Sequence, residues 1–418
     1  MRKFIVLFTC LIFSFSSTQS FSLLSHEAII DASWEKSIRP LLKFKYPSAS
    51  EEDLKSAHAY LYGGSIMPDI GYYPFGSMLF TNLVHYVRSG DFIHAALTEA
   101  KDVNEYAFAL GLLCHYHADK YGHELGTNLA LPVLFPDEKK KHGDTITYEE
   151  DKTKHIKVEF GFDVMQTVKG NYAPKAQHDF IGFKVSEPVL ERAFFKTYGF
   201  ELKDVFKSLP VAVETFRFTV KQLIPELTKD AWKARSGMIT QINPLAEKSS
   251  YTKKYDRREY NKEFGKPQLK SSVLSFIMGL IPKVGPFAGL KFKEPSEEAE
   301  KIFDESFKAI LTHYTGMVDR LKHETVKPDN INFDTGKKTA RNEYLLADKC
   351  YYKLLRKHET KNFKQVSPAL KKNLLGFYST NSKSTNNSKS YKSEKTARYV
   401  EVLKKTDVSK NELVQNEK

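Results

Sequence analysis

The stretch FALGLLCHYHADKYGHELG, residues 108–126, decides how the rest of the chain is interpreted. Residues four apart on an α-helix project in nearly the same direction, so His115, Asp119 and His123 share one stripe of one helix. Residues 106–114 are almost wholly apolar, which predicts that this helix is buried. Buried imidazoles and carboxylates are costly unless something pairs them, and a metal ion does so. One such histidine alone would usually be a hydrogen-bonded core residue, and the repeat along the stripe favours a metal site.

Helical periodicity also dominates the rest of the 418-residue chain. Alternating patterns typical of β-strands are scarce, so the sequence predicts an all-α, multi-helix bundle. Two loops are expected, one at 63–76, rich in glycine and proline, and a charged one at 131–148. The expected helices span residues 27–42, 51–62, 77–89, 91–101, 103–122, 151–168, 208–234, 296–323 and 339–357.

The two ends of the chain differ in character from this region. Residues 1–20 combine two basic residues, a short apolar run and a small polar stretch, the pattern of a secretory signal peptide cleaved after Ser20. The protein is therefore expected to be secreted or periplasmic, with no membrane-spanning segment after signal removal. Residues 21–375 are predicted to form the α-helical domain. The low-complexity polar segment 376–418 is predicted to be a disordered tail, with a short helix near 397–405.

Composition narrows the choice of partners without deciding it. The formal net charge is +13, which favours anionic surfaces such as phospholipid headgroups or nucleic acid, although lysine-rich composition also serves solubility. Only Cys114 and Cys350 follow the predicted signal peptide, too few for a disulfide framework but enough for one bridge. Cys114 points away from the ligand stripe and is interpreted as a small buried apolar residue.

Further candidate ligands lie outside the central helix. Asp69 follows Pro68 in a predicted turn, from which a carboxylate can approach a metal. His155 and Glu159 are four residues apart and share a helix face. His85 lies among apolar residues of a predicted helix. Taken singly, Asp69 would be interpreted as an ordinary turn residue and His85 as a core histidine, whereas His155 and Glu159 are explained equally well as an exposed pair.

The predicted mature N-terminus adds two more candidates. Cleavage after Ser20 makes Phe21 the first residue, and an α-amine titrates at about 7.7–8.0, so it readily supplies a nitrogen lone pair. His26 is close enough in sequence to share a metal with that amine. Asp163, one turn beyond Glu159, is expected to support a histidine ligand through its second ring nitrogen.

Together these segments resemble the zinc-dependent phospholipase C family, which includes the catalytic domain of glycosylphosphatidylinositol-specific phospholipase D. AYLYGGSIMPDIGYYP (59–74) resembles the family's tyrosine-rich segment ending in Pro-Asp. Residues 108–126 resemble its central His-xxx-Asp-xxx-His helix, and KHIKVEFGFDV (154–164) resembles its later His-xxx-carboxylate helix. The resemblance covers residues 21–168 and extends more distantly to S1/P1-type nucleases.

The resemblance implies a cluster of up to three zinc ions. The first would be bound by Asp69, His85, His115 and Asp119, the second by His123, His155 and Glu159, and the third by the amine and carbonyl of Phe21, by His26 and by the second oxygen of Asp119. Family members usually begin with tryptophan where this chain has Phe21. The step from Asp119 to His123 matches the phospholipase D-like branch, and Glu159 is the residue type found in phospholipases C.

The resemblance also implies a function: an exported zinc-dependent phospholipase that hydrolyses a phosphodiester bond of glycerophospholipids at a membrane or micelle surface, with C-type cleavage favoured. Asp69 is interpreted either as the general base that orients the attacking water or as a ligand only. A ligand set of nitrogen and oxygen atoms without cysteine favours a catalytic site over a structural one.

Two alternative functions stay open. The first is an S1/P1-like nuclease or phosphodiesterase, and it is less favoured because the sequence offers no clear base-binding signature. The second is a non-catalytic, zinc-stabilised protein that binds lipids or surfaces. The apolar segment 271–292 is interpreted either as a buried helix and turn or as a hairpin that inserts into a lipid interface.

Overall fold

The computed structural model of the chain describes residues 23–169, 183–251, 257–264, 293–364, 366–379 and 393–409. Within these ranges the regular structure is helical, and the β-type pairing is limited to an isolated antiparallel bridge between Ile331 and Lys338. The prediction of an all-α fold is confirmed. None of the described helices is long and apolar enough to cross a membrane. The predicted signal peptide, Phe21 and the segment 271–292 lie outside the described residues.

The region up to residue 169 contains nine α-helices joined by short connections, some of them π or 3-10 turns. These are α1 (Leu23–Ser33), α2 (Arg39–Lys45), α3 (Glu51–Ile66), α4 (Met78–Tyr86), α5 (Ser89–Glu99), α6 (Val103–Gly122), α7 (Asn128–Leu134), α8 (Pro136–His142) and α9 (Lys152–Lys169). A π-helix, Trp34–Ile38, joins α1 to α2, and another, His123–Thr127, joins α6 to α7. The 3-10 helix Met67–Tyr72 follows α3.

The described residues beyond 182 form eight further α-helices. These are α10 (Glu187–Tyr198), α11 (Leu209–Ile242), α12 (Lys248–Tyr251), α13 (Arg257–Phe264), α14 (Glu297–Arg320), α15 (Leu345–Glu359), α16 (Pro368–Ser379) and α17 (Ser393–Lys405). The short helix expected near residues 397–405 is therefore present, as part of α17, and Leu403 on it is fully buried.

The predicted loop at 63–76 was wrong over its first half. Helix α3 continues to Ile66, and the chain then goes directly into the 3-10 helix Met67–Tyr72. Gly63 and Gly64 lie inside the helix, at positions where neighbouring backbone leaves no room for a side chain. A Cβ atom on Gly64 would lie only 2.0 Å from the carbonyl oxygen of Phe108 on α6.

The predicted loop at 131–148 was also wrong in part, because it contains the end of α7 and all of α8. The charge of this segment suggested a loop here. However, Pro136 occupies the first position of α8, where a helix needs no amide hydrogen from it. Residues 143–148 connect α8 to the turn before α9 without regular structure, apart from the start of that turn at Tyr148.

Helix α6 lies at the centre of the bundle, and its packing positions the candidate site. The side chain of Asp102 caps its N-terminus by accepting hydrogen bonds from the amides of Asn104 and Glu105. The helix packs most extensively against α3, at a crossing where Gly64 and Gly111 face each other. Without side chains at these two positions, the backbones approach closely enough for polar groups of one helix to contact the other.

The C-terminal helices pack back against this centre. On α14, the hydroxyl of Tyr314 donates to the carbonyl of Leu110 at 3.1 Å, and the ring of Phe303 stacks on Phe162 of α9 with centroids 4.1 Å apart. Helix α15 contacts α4 and α17. The bundle that surrounds α6 is therefore built from both halves of the chain.

Candidate metal centre

Four side chains from three different segments meet beside α6. His115 and Asp119 come from α6 itself, His85 from α4 and Asp69 from the 3-10 helix after α3, and all four are buried. Nε2 of His85 lies 3.3 Å from Oδ1 of Asp69, 3.4 Å from Oδ2 of Asp119 and 3.3 Å from Nε2 of His115. Nε2 of His115 is 3.2 Å from Oδ2 of Asp119.

Each of these four separations is close to that expected between two ligands of one zinc ion. Zinc bonds of about 2.0–2.1 Å at tetrahedral angles place neighbouring ligand atoms about 3.3–3.4 Å apart. Within the described part of the chain, Oδ1 of Asp69 and both carboxylate oxygens of Asp119 have no hydrogen-bond partner despite burial. Buried carboxylate oxygens without partners are costly, and a cation among them removes that cost.

Backbone carbonyls set the ring orientation of both histidines in this group. Nδ1 of His115 lies 2.8 Å from the carbonyl oxygen of Ser65 on α3, and Nδ1 of His85 lies 2.8 Å from that of Thr81. A carbonyl oxygen only accepts hydrogen bonds, so each Nδ1 carries a proton, and Nε2, on the side facing Asp119, is the nitrogen that can bind a cation. The close crossing of α3 and α6 makes the Ser65 contact possible.

Electrostatics in this group favour an ionised carboxylate at Asp119. Burial alone would raise its pKa, but His115 and His123 hold the pKa of Asp119 well below its usual range. Burial alone would lower the pKa of His85, yet the carboxylates of Asp119 and Asp69 raise it to about 10. Without a metal, His85 therefore carries the positive charge that these carboxylates require, and a divalent cation would displace its proton.

A second group forms where α6 ends. The amide of His123 still donates to the carbonyl of Asp119, so the ligand stripe continues to His123, and the π-helix starts there. Nε2 of His123 lies 3.2 Å from Oε1 of Glu159, and Nδ1 of His155 lies 3.0 Å from the same oxygen. Among the described residues, Oε1 of Glu159 and Nδ1 of His155 have no hydrogen-bond partner.

Burial dominates the titration of this second group. It raises the pKa of Glu159 to about 8 and lowers the pKa of His155 to about 4. Near neutral pH the imidazole of His155 is therefore uncharged and able to bind a cation. A cation at this position would also favour the ionised form of Glu159.

His26 completes the arrangement on the other side of Asp119. Its Nε2 is 3.4 Å from Oδ1 of Asp119, and its ring stacks on that of His115 with centroids 4.7 Å apart. The two oxygens of Asp119 thus face different histidines. Asp163, expected to support a histidine, accepts hydrogen bonds from the amides of Leu24 and Ser25 and from the Ser25 hydroxyl, and so anchors the turn before His26.

All the candidate ligands that the structure describes therefore lie in two adjoining groups around α6, and Phe21 lies outside the described residues. Their ligand atoms are imidazole nitrogens and carboxylate oxygens, both of which bind zinc. Cys114 and Cys350 are buried and not bonded to each other, and Sγ of Cys114 faces the carbonyl of His26 at 3.8 Å. The interpretation of Cys114 as a buried non-ligand residue agrees with this position.

Three residues that contact the second group could not be identified from the sequence. Phe333 and Asp334 lie on the loop between α14 and α15, and Asn128 opens α7. All three contact His123, His155 or each other through hydrogen bonds. None of these residues lies at a helical spacing from a ligand, so no sequence pattern would reveal them.

Residues 25–208 match the family model for zinc dependent phospholipase C. No curated protein and no solved structure gives a match. The matched residues include the helices that carry every described candidate ligand. The resemblance inferred from the sequence motifs is thereby confirmed.

Proposed function

Because residues 25–208 match the model of the zinc-dependent phospholipase C family, we propose that this protein is an exported zinc-dependent phospholipase. It hydrolyses a phosphodiester bond of glycerophospholipids, with C-type cleavage favoured. The observation that carries this proposal is that ligand atoms of Asp69, His85, His115 and Asp119 approach each other in four pairs at 3.2–3.4 Å, as zinc ligands would.

The proposed ligand sets follow the two groups of side chains. One zinc would be bound by Asp69, His85, His115 and Asp119, and a second by His123, His155 and Glu159. A third would be bound by His26, by the other oxygen of Asp119 and by the amine and carbonyl of Phe21. The split of Asp119 between His26 and the two histidines of the first group supports this sharing.

The chain's own residues have distinct tasks in this reaction. Bound zinc would supply a water molecule acidic enough to ionise near neutral pH and positive charge for the phosphoryl oxygens. The carbonyls of Ser65 and Thr81 hold a proton on Nδ1 of His115 and His85, which leaves Nε2 of each ring as the nitrogen that would bind zinc. Asp69 either accepts the proton of the attacking water or acts as a ligand only, and its Oδ1 lies 3.3 Å from His85.

The proposal is tested by incubating the purified mature protein with phosphatidylcholine vesicles and, separately, with single-stranded DNA. Each reaction is run with and without a chelator, followed by return of zinc. We expect release of diacylglycerol that stops on chelation and returns with zinc, and no cleavage of DNA. Phosphatidic acid as the product would replace C-type by D-type cleavage.

The same experiment decides between the remaining functions. Chelator-sensitive cleavage of DNA without lipid turnover would contradict the phospholipase and support the S1/P1-like nuclease. Zinc binding without turnover of either substrate would support a non-catalytic, zinc-stabilised protein that binds lipids or surfaces.

Export is a separate part of the proposal and has its own test. The signal-peptide pattern at residues 1–20 supports cleavage after Ser20 and a secreted or periplasmic location. N-terminal sequencing of the mature protein is expected to begin at Phe21. Any other first residue would remove the amine ligand of the proposed third zinc.

A further inference from the structure

A loop from outside the family-matched region covers the candidate metal centre. This covering loop, residues 330–338, lies between α14 and α15, more than a hundred residues beyond the match. Phe333 lies at its centre, with its ring 5.0 Å from that of His85 and 5.7 Å from that of His115. The amide of Phe333 also donates to the carbonyl of His85 at 3.2 Å.

The covering loop determines which nitrogen of His123 carries the proton. Nδ1 of His123 is 3.3 Å from the carbonyl oxygen of Phe333 and 3.7 Å from Oδ1 of Asp334. The carbonyl of Phe333 is within hydrogen-bond distance and only accepts, and the carboxylate of Asp334 adds negative charge on the same side, so the proton belongs on Nδ1. Nε2, which lies 3.2 Å from Oε1 of Glu159, is then the nitrogen with the lone pair.

Asn128 determines in the same way which nitrogen of His155 carries the proton. Its Nδ2 donates to the backbone carbonyl of Asp334 at 2.7 Å, and because a carbonyl only accepts, the amide cannot be flipped. Oδ1 of Asn128 therefore faces Nε2 of His155 at 3.0 Å and requires a proton there. This leaves the lone pair of His155 on Nδ1, 3.0 Å from Oε1 of Glu159.

The side chain of Asp334 is held independently of the histidines. It is fully buried, and its Oδ2 accepts hydrogen bonds from the hydroxyl of Tyr86 at 2.8 Å and from that of Tyr344 at 2.5 Å. Within the described residues, Oδ1 of Asp334 has no hydrogen-bond partner and lies beside His123.

We propose that Asp334 and Asn128 are positioning residues that hold His123 and His155 in the tautomers in which both lone pairs point at Glu159. The covering loop, which belongs to the C-terminal half of the chain, then helps to orient the ligands of the metal centre. The inference rests on the proposed zinc site, because the tautomers matter for function only if these two nitrogens bind a cation. Residues that orient a ligand in this way typically change metal affinity about 10- to 100-fold when replaced.

The first test is zinc binding by full-length mature protein, measured by competition with a graded series of chelators. Asp334→Asn and Asn128→Leu are expected to weaken one zinc site about 10- to 100-fold. The matched control is Asp329→Asn, the same change at an exposed residue just before the covering loop, and it is expected to leave zinc affinity unchanged. Zinc affinities within twofold of the control in both folded variants would overturn the proposal.

The second test measures the tautomers directly, by the nitrogen-15 shifts of the histidine rings in zinc-free protein. We expect His123 protonated on Nδ1 and His155 on Nε2. Asn128→Leu is expected to give a mixture at His155, and Asn128→Asp, which keeps an acceptor, is expected to restore the Nε2 proton. An unchanged His155 signal in Asn128→Leu would contradict the proposal.

These tests separate the inference from the proposed function. If the wild-type protein bound no zinc, the proposed function would fail, while the ring tautomers would still show whether Asn128 and Asp334 orient the histidines. If Asp334→Asn did not fold, Tyr344→Phe removes only one donor to Asp334 and is expected to weaken the same zinc site severalfold. Unchanged zinc affinity in that folded variant would count against a role for Asp334.

Discussion

Asp119 is the residue on which the proposed zinc sites converge. It is fully buried, one of its oxygens faces His26, and the other faces His85 and His115. Because neither oxygen has a hydrogen-bond partner among the described residues, the carboxylate depends on these imidazoles or on a cation for compensation. Replacing it should therefore affect more than one metal.

We predict that Asp119→Asn loses at least one zinc per chain and lowers phospholipase activity more than about 100-fold, since residues that merely support a ligand already cost 10- to 100-fold. An amide keeps the shape of the side chain but removes the negative charge. Zinc is counted by mass spectrometry, and lipid turnover is measured on the same samples. The control is Asp137→Asn at an exposed position, and full zinc content in Asp119→Asn would contradict the shared ligand.

At this scale, local spacing decides what a sequence can predict. His115, Asp119, His155 and Glu159 are visible because residues four apart on a helix must share a face. Only the family resemblance favoured the assignment of Asp69 and His85 as ligands. Asn128 and Asp334 could not be predicted, because they meet across 206 residues and their contact depends on how α7 and the covering loop pack.

At the scale of elements, the crossing of α3 and α6 holds the first group of ligands together. Gly64 and Gly111 face each other there, and a Cβ atom on Gly111 would lie 2.2 Å from the carbonyl oxygen of Leu61. The same close approach brings the carbonyl of Ser65 to His115. Glycine in this segment suggested a turn, and only the partner helix explains why it lies inside α3.

We predict that Gly64→Ala destabilises the protein by about 3 kcal/mol, because the new methyl group has to push two helix backbones apart. It should also weaken zinc binding, because the Ser65 carbonyl moves away from His115. The control is Gly316→Ala on α14, where nothing lies within 4 Å and up to about 1 kcal/mol of stabilisation is expected. Unfolding in urea measures the stability change in both variants, and equal changes at the two glycines would contradict the role of the crossing.

At the scale of the whole molecule, the C-terminal helices complete the family-matched region. Residues 25–208 carry the described candidate ligands, but α14 packs on α6 and the covering loop contacts the second group. Helix α15 is attached through His358, whose Nε2 donates to the carbonyl of Tyr198 at 3.0 Å. Periodicity predicted α14 and α15 as helices, but their docking depends on contacts distant in sequence.

The His358 contact predicts a pH dependence of stability. Burial lowers the pKa of His358 to about 4, while the unfolded chain protonates near 6.5. Below pH 6.5 the unfolded state therefore binds a proton that the folded state rejects, so stability is complete above pH 6.5 and falls as the pH approaches 4. This residue should account for up to about 3 kcal/mol of that loss.

We expect His358→Gln, which keeps a donor for the Tyr198 carbonyl but does not titrate, to lose about 3 kcal/mol less than the wild type between pH 6.5 and 4. Urea unfolding of the zinc-free proteins at several pH values measures the difference. The matched variant His323→Gln, at an exposed position, should behave as the wild type does. Identical pH dependence in His358→Gln and the wild type would show that His358 is not held neutral.

The central claim is that the two groups of side chains around α6 bind zinc, and an anomalous difference map at the zinc edge tests it most directly. In zinc-loaded crystals of the mature protein we expect one peak about 2.0–2.2 Å from Nε2 of His85 and of His115, and another at that distance from Nε2 of His123 and Nδ1 of His155. Soaking in chelator should remove both peaks. Zinc bound only at surface histidines, with no peak among these side chains, would contradict the account.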